Sequence, residues 1–268
     1  MSYYDVQLLK RPVWKWYIPA YFVLGGIAGA SSTIGLAFPP LRRRAARLSL
    51  ASVSLGTVCL IADLGRPSRF ANMLRVFRPS SPMNMGSWLL AMYGPAAGAS
   101  AVFGSSSVGA LGAGVAGVAG VPLAGYTGVL VAATAVPAWQ EASASMPVLF
   151  TASGVAGAAS LLMLGACDDE TARVLRRYGI AGKVGELAAA AAVEREVRDT
   201  TPYESTPLWK LSHLLTTISL VLSLPKRRRR SREVLAALTG AAGSATVKFA
   251  VAQAGHRSIA PTPGNSHA

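Results

Sequence analysis

A chain of 268 residues in which 51% are hydrophobic and only 14% charged, against about 25% charged in soluble domains, is not an ordinary water-soluble domain. Its apolar residues come in blocks near the ~20 residues that cross a hydrocarbon core as a helix, which points to an all-α integral membrane protein and away from a soluble helical bundle. The formal net charge of +14 does not argue for nucleic acid, because the cations sit in short clusters between apolar blocks, "LRRRAAR" and "PKRRRRSR", where they read as topology signals beside anionic lipid headgroups.

A polar, aromatic segment, "YYDVQLLKRPVWKW", precedes the first apolar block, so that block is expected to stay as a membrane anchor and not to be cleaved as a signal. Spans are then expected near 17–38, 48–64, 86–104, 109–136, 147–166, 179–193, 209–224 and 234–254. The block at 179–193 is short and carries Lys183 and Glu186, a pair three residues apart that shares a helix face and can neutralise itself. Length alone therefore leaves seven and eight spans open. Charge decides between them. With eight spans and the N-terminus outside, "LRRRAAR", "RVLRR" and "PKRRRRSR" all fall on the inner side, while "EREVRDTTPYESTP" falls outside, as the positive-inside rule requires. The expected architecture is a polytopic bundle of about eight transmembrane helices. It forms a single domain over 1–254, with a four-helix bundle at about 17–137, further helices at about 147–254, and a polar tail at 255–268.

Between the second and third blocks lies "IADLGRPSRFANMLRVFRPSSPMNMGSW", which packs an aspartate, four arginines and three prolines into a greasy chain. Together with "PVWKWYIPAYFVLGGIAGASS" and "GYTGVLVAATAVPAW", in that order along the chain, it resembles the polysulfide reductase membrane-subunit family, often called NrfD-like. The likeness is dense in the first half and continues more thinly to "KFAVAQAGHRS".

The resemblance implies an eight-helix membrane subunit that exchanges electrons with a quinone, menaquinone or ubiquinone, in a bacterial inner membrane. Such a subunit works beside an extrinsic four-cluster ferredoxin-like iron-sulfur protein, which wires to a catalytic subunit that commonly contains molybdenum. The chain would be one part of a respiratory oxidoreductase complex and not catalytic alone. In the family, the tyrosine of the YTG motif is associated with the quinone pocket, and that role carries to Tyr126.

A quinone needs an apolar slot, a few hydrogen-bonding groups at its two oxygens, and a proton path. Alternating spans bring the outer end of the first (Tyr21), the end of the second (Asp63) and the start of the third (Trp88) to one side of the membrane. Tyr126 then lies roughly 15 Å below the outer end of the fourth as a pocket floor, at ~1.5 Å per residue. The expected quinone site is therefore Tyr21, Trp88 and Tyr126, with Asp63 and Arg66 at its mouth as the proton-handling pair. Each has a plainer reading: Asp63 and Arg66 as a salt bridge beside the Pro67 turn, Tyr126 as donor to a backbone carbonyl, and Trp88 as an interfacial anchor like Trp14, Trp16 and Tyr17. Arg69, Arg75 and Arg78 form either a phosphate-binding surface or the docking face for the iron-sulfur partner.

Cys59 and Cys167, without a CxxC pair, are too few to build a cluster or zinc site in this chain, and in the eight-span model they lie toward opposite membrane faces. The three histidines, His213, His256 and His267, do not suit a haem pair: His256 falls at water level and His267 in the polar tail. The family pattern would also place a histidine in the first helix, and this chain has none there. Lys248 interrupts the last block and calls for a partner such as Glu186, or else belongs to a proton path. Two other functional classes remain, an ion-translocating transporter-like subunit and a purely structural anchor. The first would show internal similarity between its halves, and the motif-rich first half has no echo in the second.

Overall fold

The computed structural model describes residues 14–65, 67–225 and 229–259, and among them it contains helices and no strand. In chain order these are α1 (Tyr17–Ala37), a 3-10 turn (Pro39–Leu41), α2 (Arg42–Leu64), α3 (Pro67–Met73), α4 (Pro82–Phe103), α5 (Ser107–Ala132), α6 (Pro137–Gln140), α7 (Ser145–Met163), α8 (Asp169–Glu196), α9 (Thr201–Glu204), α10 (Pro207–Ser223) and α11 (Arg230–Ser258).

Local chemistry sets the boundaries. Prolines open α3, α4, α6 and α10, where the missing N–H would be unused in any case. Ser81 and Ser106 cap α4 and α5 by accepting from the backbone N–H of Asn84 and Gly109, as N-cap hydroxyls do. Gly65, at φ 71°, ends α2 in the left-handed region that a side chain disfavours.

Five helices are long and apolar enough to cross a membrane: α1, the 3-10 turn continued by α2, α5, α7 and α11. Among the described residues α4, α8 and α10 fall outside that set. Each expected span overlaps a long helix, but two helices begin well before the expected position. Helix α2 opens at Arg42, inside the "LRRRAAR" expected as a loop, and 179–193 is the later part of a 28-residue helix, α8, whose first turns "DETARVLRRY" read as loop in the sequence because they are charged.

Helix α1 sits at the centre, packed on α2, α5, α7 and α11. It approaches α5 so closely that a Cβ on Gly29 would lie 2.4 Å from the carbonyl oxygen of Gly120, and the converse distance is also 2.4 Å. Contact this tight is how helices associate in lipid, where no hydrophobic effect drives them together. A buried polar node locks the first half: the Tyr93 hydroxyl (α4) donates to the Ala28 carbonyl (α1) and lies 2.7 Å from both the Ser32 (α1) and Ser49 (α2) hydroxyls. Ser32 in turn donates to Ala116 of α5 at 3.0 Å.

The bundle has two chemically distinct ends. At the basic end, Arg44 meets the Cys167 thiol at 3.4 Å, and Arg230 donates to the last carbonyls of α7, at Met163, Leu164 and Gly165. At the opposite end, Trp14 stacks on Trp139 with ring centroids 4.7 Å apart, and the Trp139 indole N–H donates to Val251 at 2.8 Å. Tyr203 there donates to Ala138, and Ser145 to Glu196. Since α8 begins beside the first set of contacts and reaches Glu196 in the second, it runs from one end to the other.

Candidate functional site

The candidate site lies at the end opposite the basic one, where α1 begins, α2 ends, α4 begins and α5 approaches its C-terminus. Tyr21 is buried in α1, 4% exposed, with its ring 3.5 Å from where a Cβ on Gly56 of α2 would be. None of the hydrogen bonds among the described residues uses its hydroxyl. Tyr126 of α5 is near enough to interact with it electrostatically, so two phenols from different helices share this end of the bundle.

The Tyr126 hydroxyl donates to the carbonyl of Pro82, the first residue of α4, at 2.9 Å. The phenol is therefore level with the start of α4, higher in the bundle than the floor position expected from helix rise. Its ring occupies the space a side chain at position 86 would take. With its proton committed to Pro82, the phenol oxygen keeps lone pairs that can accept a hydrogen bond.

Asp63, in the last turn of α2, is half-buried. The charge that bears on it is Lys15, a residue that sequence reasoning placed only in the segment before the first span. Arg66, its expected partner, lies outside the described residues. Trp88 points outward, 40% exposed, with its ring edge-on to Phe77 at 5.9 Å and its indole N–H at a long 3.5 Å from the Val76 carbonyl. Exposed Leu55, Val58, Met85 and Met92 lie on the same two helices, α2 and α4, and extend an apolar surface around it.

The loop between α3 and α4 is held by a residue that sequence reasoning passed over. Asn84 donates to the carbonyls of Met73 and Val76, both at 2.8 Å, and accepts from the Arg78 N–H at 2.6 Å. One asparagine among many loop polar groups gives no sequence signal of that clamp. Of the three arginines, Arg69 donates to the carbonyl of Leu64 at 3.0 Å and so closes the end of α2. Arg75 and Arg78 have exposed side chains.

Among the described residues, no three of His, Cys, Asp and Glu group together as a metal site. His213 is held through Nδ1 by the Trp209 carbonyl at 2.7 Å. Cys59 lies in the last turns of α2 and Cys167 beside Arg44 at the basic end. The opposite end therefore places two phenols and a carboxyl group beside exposed apolar side chains, groups able to donate or accept hydrogen bonds.

A family model described as polysulfide reductase matches residues 2–260. A search of curated proteins gives no match. With the family and the five apolar helices together, this is a membrane protein, and the match implies a place in a multi-subunit oxidoreductase complex.

Proposed function

Because the chain belongs to the polysulfide reductase family, we propose that it is the quinone-reactive membrane subunit of a respiratory oxidoreductase, receiving or delivering electrons through an extrinsic iron-sulfur protein. The observation that carries the reading is the pairing of Tyr21, whose buried phenol has no hydrogen bond, with Tyr126 at the lipid-facing end of α2 and α4.

A quinone fits that donor set. Its ring needs apolar walls and its oxygens need a few placed hydrogen-bonding groups, and a buried hydroxyl left unmade is a group such a ligand satisfies. When bound, the quinone supplies the two-electron, two-proton chemistry, taking up two of each to become the quinol or releasing them in reverse. Tyr21 donates to one oxygen. Tyr126, its own proton on Pro82, accepts from a hydroxylated ring. Trp88 and the exposed side chains around it line the approach from lipid. Asp63, set between the site and water and balanced by Lys15, is the group that moves protons; Arg66 stands beside it in the chain.

In this reading all eight long helices cross the membrane, with the basic end in the cytoplasm of a bacterial cell and the site toward the outer face. Lys183 and Glu186 make the α8 crossing tolerable because both are buried inside the bundle, away from lipid. Arg75 and Arg78 then face the iron-sulfur partner. The contacts of Tyr126 with Pro82 and of Arg69 with Leu64 also suit a structural anchor, so the deciding experiment separates the two. Quinone-analogue turnover per assembled complex is measured in membranes for Tyr21→Phe and Tyr126→Phe, with assembly quantified separately. A drop of up to roughly tenfold in quinone affinity for either variant, the worth of one hydrogen bond, supports the site. Parental turnover in both at normal assembly leaves the anchor.

A further inference from the structure

A second concentration of polar groups lies in the other half of the bundle, on α7, α8, α10 and α11. Each of the four helices there turns a polar or small face inward at helical spacing: Ser153, Gly157 and Ser160 on α7; Gly179, Lys183 and Glu186 on α8; Thr216, Ser219 and Ser223 on α10; Gly240, Ser244 and Lys248 on α11. The faces meet. Around the point a Cβ on Gly240 would occupy lie the Ser160 Oγ at 2.5 Å, the Ser219 Oγ at 2.7 Å and the Lys183 Cε at 3.1 Å. One turn further along α11, Ser244 and Ser153 exchange hydrogen bonds. Lys248 follows one turn beyond that.

Several of these groups lack a protein partner. Lys248 is fully buried and its Nζ has no hydrogen bond; the Phe150 ring lies 5.7 Å from it. Glu186, 2% exposed, accepts from Thr216 at 2.6 Å through Oε1, while Oε2 has nothing. The Ser160 hydroxyl is likewise unpartnered. The direct Lys248 to Glu186 bond favoured on sequence grounds is not made. Leaving a buried charge or donor uncompensated is strongly unfavourable, so a fold that keeps three such groups in one column calls for something mobile and polar to serve them.

A cavity of about 470 Å³ reaches that column from the basic end. Ser160, Lys183 and Ser223 form its inner wall, and Arg173, Arg176 and Arg232 stand nearer its mouth with Asp169 and Glu233. Lys183 spans the two regions, donating to Ser223 at 2.9 Å. The volume holds on the order of ten waters, and the wall offers each of them hydroxyl, ammonium or carbonyl partners.

We propose that this cavity is the hydrated mouth of a half-channel through which protons exchange between the basic face and Glu186 and Lys248 in the middle of the bundle. The proposal is independent of the quinone reading. A proton enters through water at the mouth, passes the Ser160 hydroxyl and the Lys183 ammonium, and rests on the Glu186 carboxylate, which becomes neutral and loses no other group. Around that carboxylate stand Lys183 one turn back on α8, Lys248 on α11 and His213 on α10, while α7 offers the Ser153 hydroxyl.

The test uses the full chain, with Cys59 and Cys167 changed to alanine, in vesicles of defined orientation. In the Ser160→Cys variant, a membrane-impermeant thiol reagent added at the basic face should modify the new thiol, and reagent at the other face should not. If Arg173→Cys at the mouth reacts while Ser160→Cys stays unmodified, the path is dry and the proposal fails. A second arm reads the carboxyl itself by mass spectrometry of labelling with dicyclohexylcarbodiimide, which attacks protonated carboxyls within membranes. Acidifying the basic face should speed labelling of Glu186 by up to about tenfold per pH unit while the carboxylate is mostly ionised, and acidifying the opposite face should not. Labelling that follows the opposite face, or neither face, overturns the assignment.

Discussion

The phenol ring of Tyr126 fills the space above Gly86: a Cβ at position 86 would lie 1.8 Å from its Cζ and 2.0 Å from its hydroxyl oxygen. Glycine at 86 is therefore what lets α5 press its tyrosine against the first turn of α4. Gly86→Ala should force the ring away and cost about 1–3 kcal/mol, the usual range for overpacking, visible as a lower unfolding temperature in detergent. An alanine variant as stable as the parent would mean that the ring is not seated there.

Tyr93→Phe removes one hydroxyl from the centre of the first half and leaves the hydroxyls of Ser32 and Ser49 facing a ring edge. A loss of about 1–3 kcal/mol follows from leaving buried polar groups short of a partner. Thermal unfolding in detergent checks this. Ser49→Ala, which deletes a peripheral member of the node, should lose less; equal losses would show that the hydroxyls do not share one centre.

Asp63→Asn separates a proton-handling carboxylate from a structural one. If Asp63 moves protons, turnover per assembled complex falls while the amount assembled stays normal. A structural ion pair predicts the reverse, and Lys15→Met should then mimic it, because Lys15 is the charge set against Asp63.

Charge reversal distinguishes the loop arginines from one another. Arg75→Glu and Arg78→Glu alter exposed side chains and should weaken co-purification of the iron-sulfur partner with little change in thermal stability. Arg69→Glu should lower stability first, by about 0.5–1.5 kcal/mol for a hydrogen bond lost to Leu64. Undiminished co-purification with both Arg75→Glu and Arg78→Glu would move docking to another face.

Reporter fusions at Arg43, Arg230 and Ser258 check the crossing number. Eight crossings put the first two on the cytoplasmic side and the third outside. A cytoplasmic reporter at Ser258 would remove one crossing, with α8 the first candidate because its opening turns are charged.

The apolar middles of the helices were more legible in the sequence than their ends. Pro82, Pro207, the serine caps and Gly65 mark the boundaries by local backbone chemistry, whereas spans drawn from apolar blocks alone begin at 86, 109 and 209. The length of α8 was not legible, since Asp169 to Arg177 looks like a loop until contacts at the basic end give those charges a place. At the candidate site the residue types could be read but their bonds could not. That Tyr21 and Tyr126 share one end of the bundle follows from helix order, whereas the hold of Pro82 on Tyr126, of Leu64 on Arg69 and of Asn84 on its loop depends on where a carbonyl happens to face. Nor does the sequence show that Lys248 and Glu186 avoid a direct bond, because spacing reports a shared interior and not a distance.

Trp139 stands in the short turn after the first five helices, yet the acceptor of its indole proton, Val251, belongs to the last helix, and Gly255 is bare of a side chain where that indole lies. A chain inserted into the membrane from its N-terminus must therefore hold an unsatisfied indole until synthesis is almost finished. The first half can assemble early, but its far end is sealed only when α11 arrives. Nascent chains stalled before residue 230 should expose that indole to quality-control proteases, and full-length chains should hide it, so completion of the polypeptide and its protection from degradation become a single event.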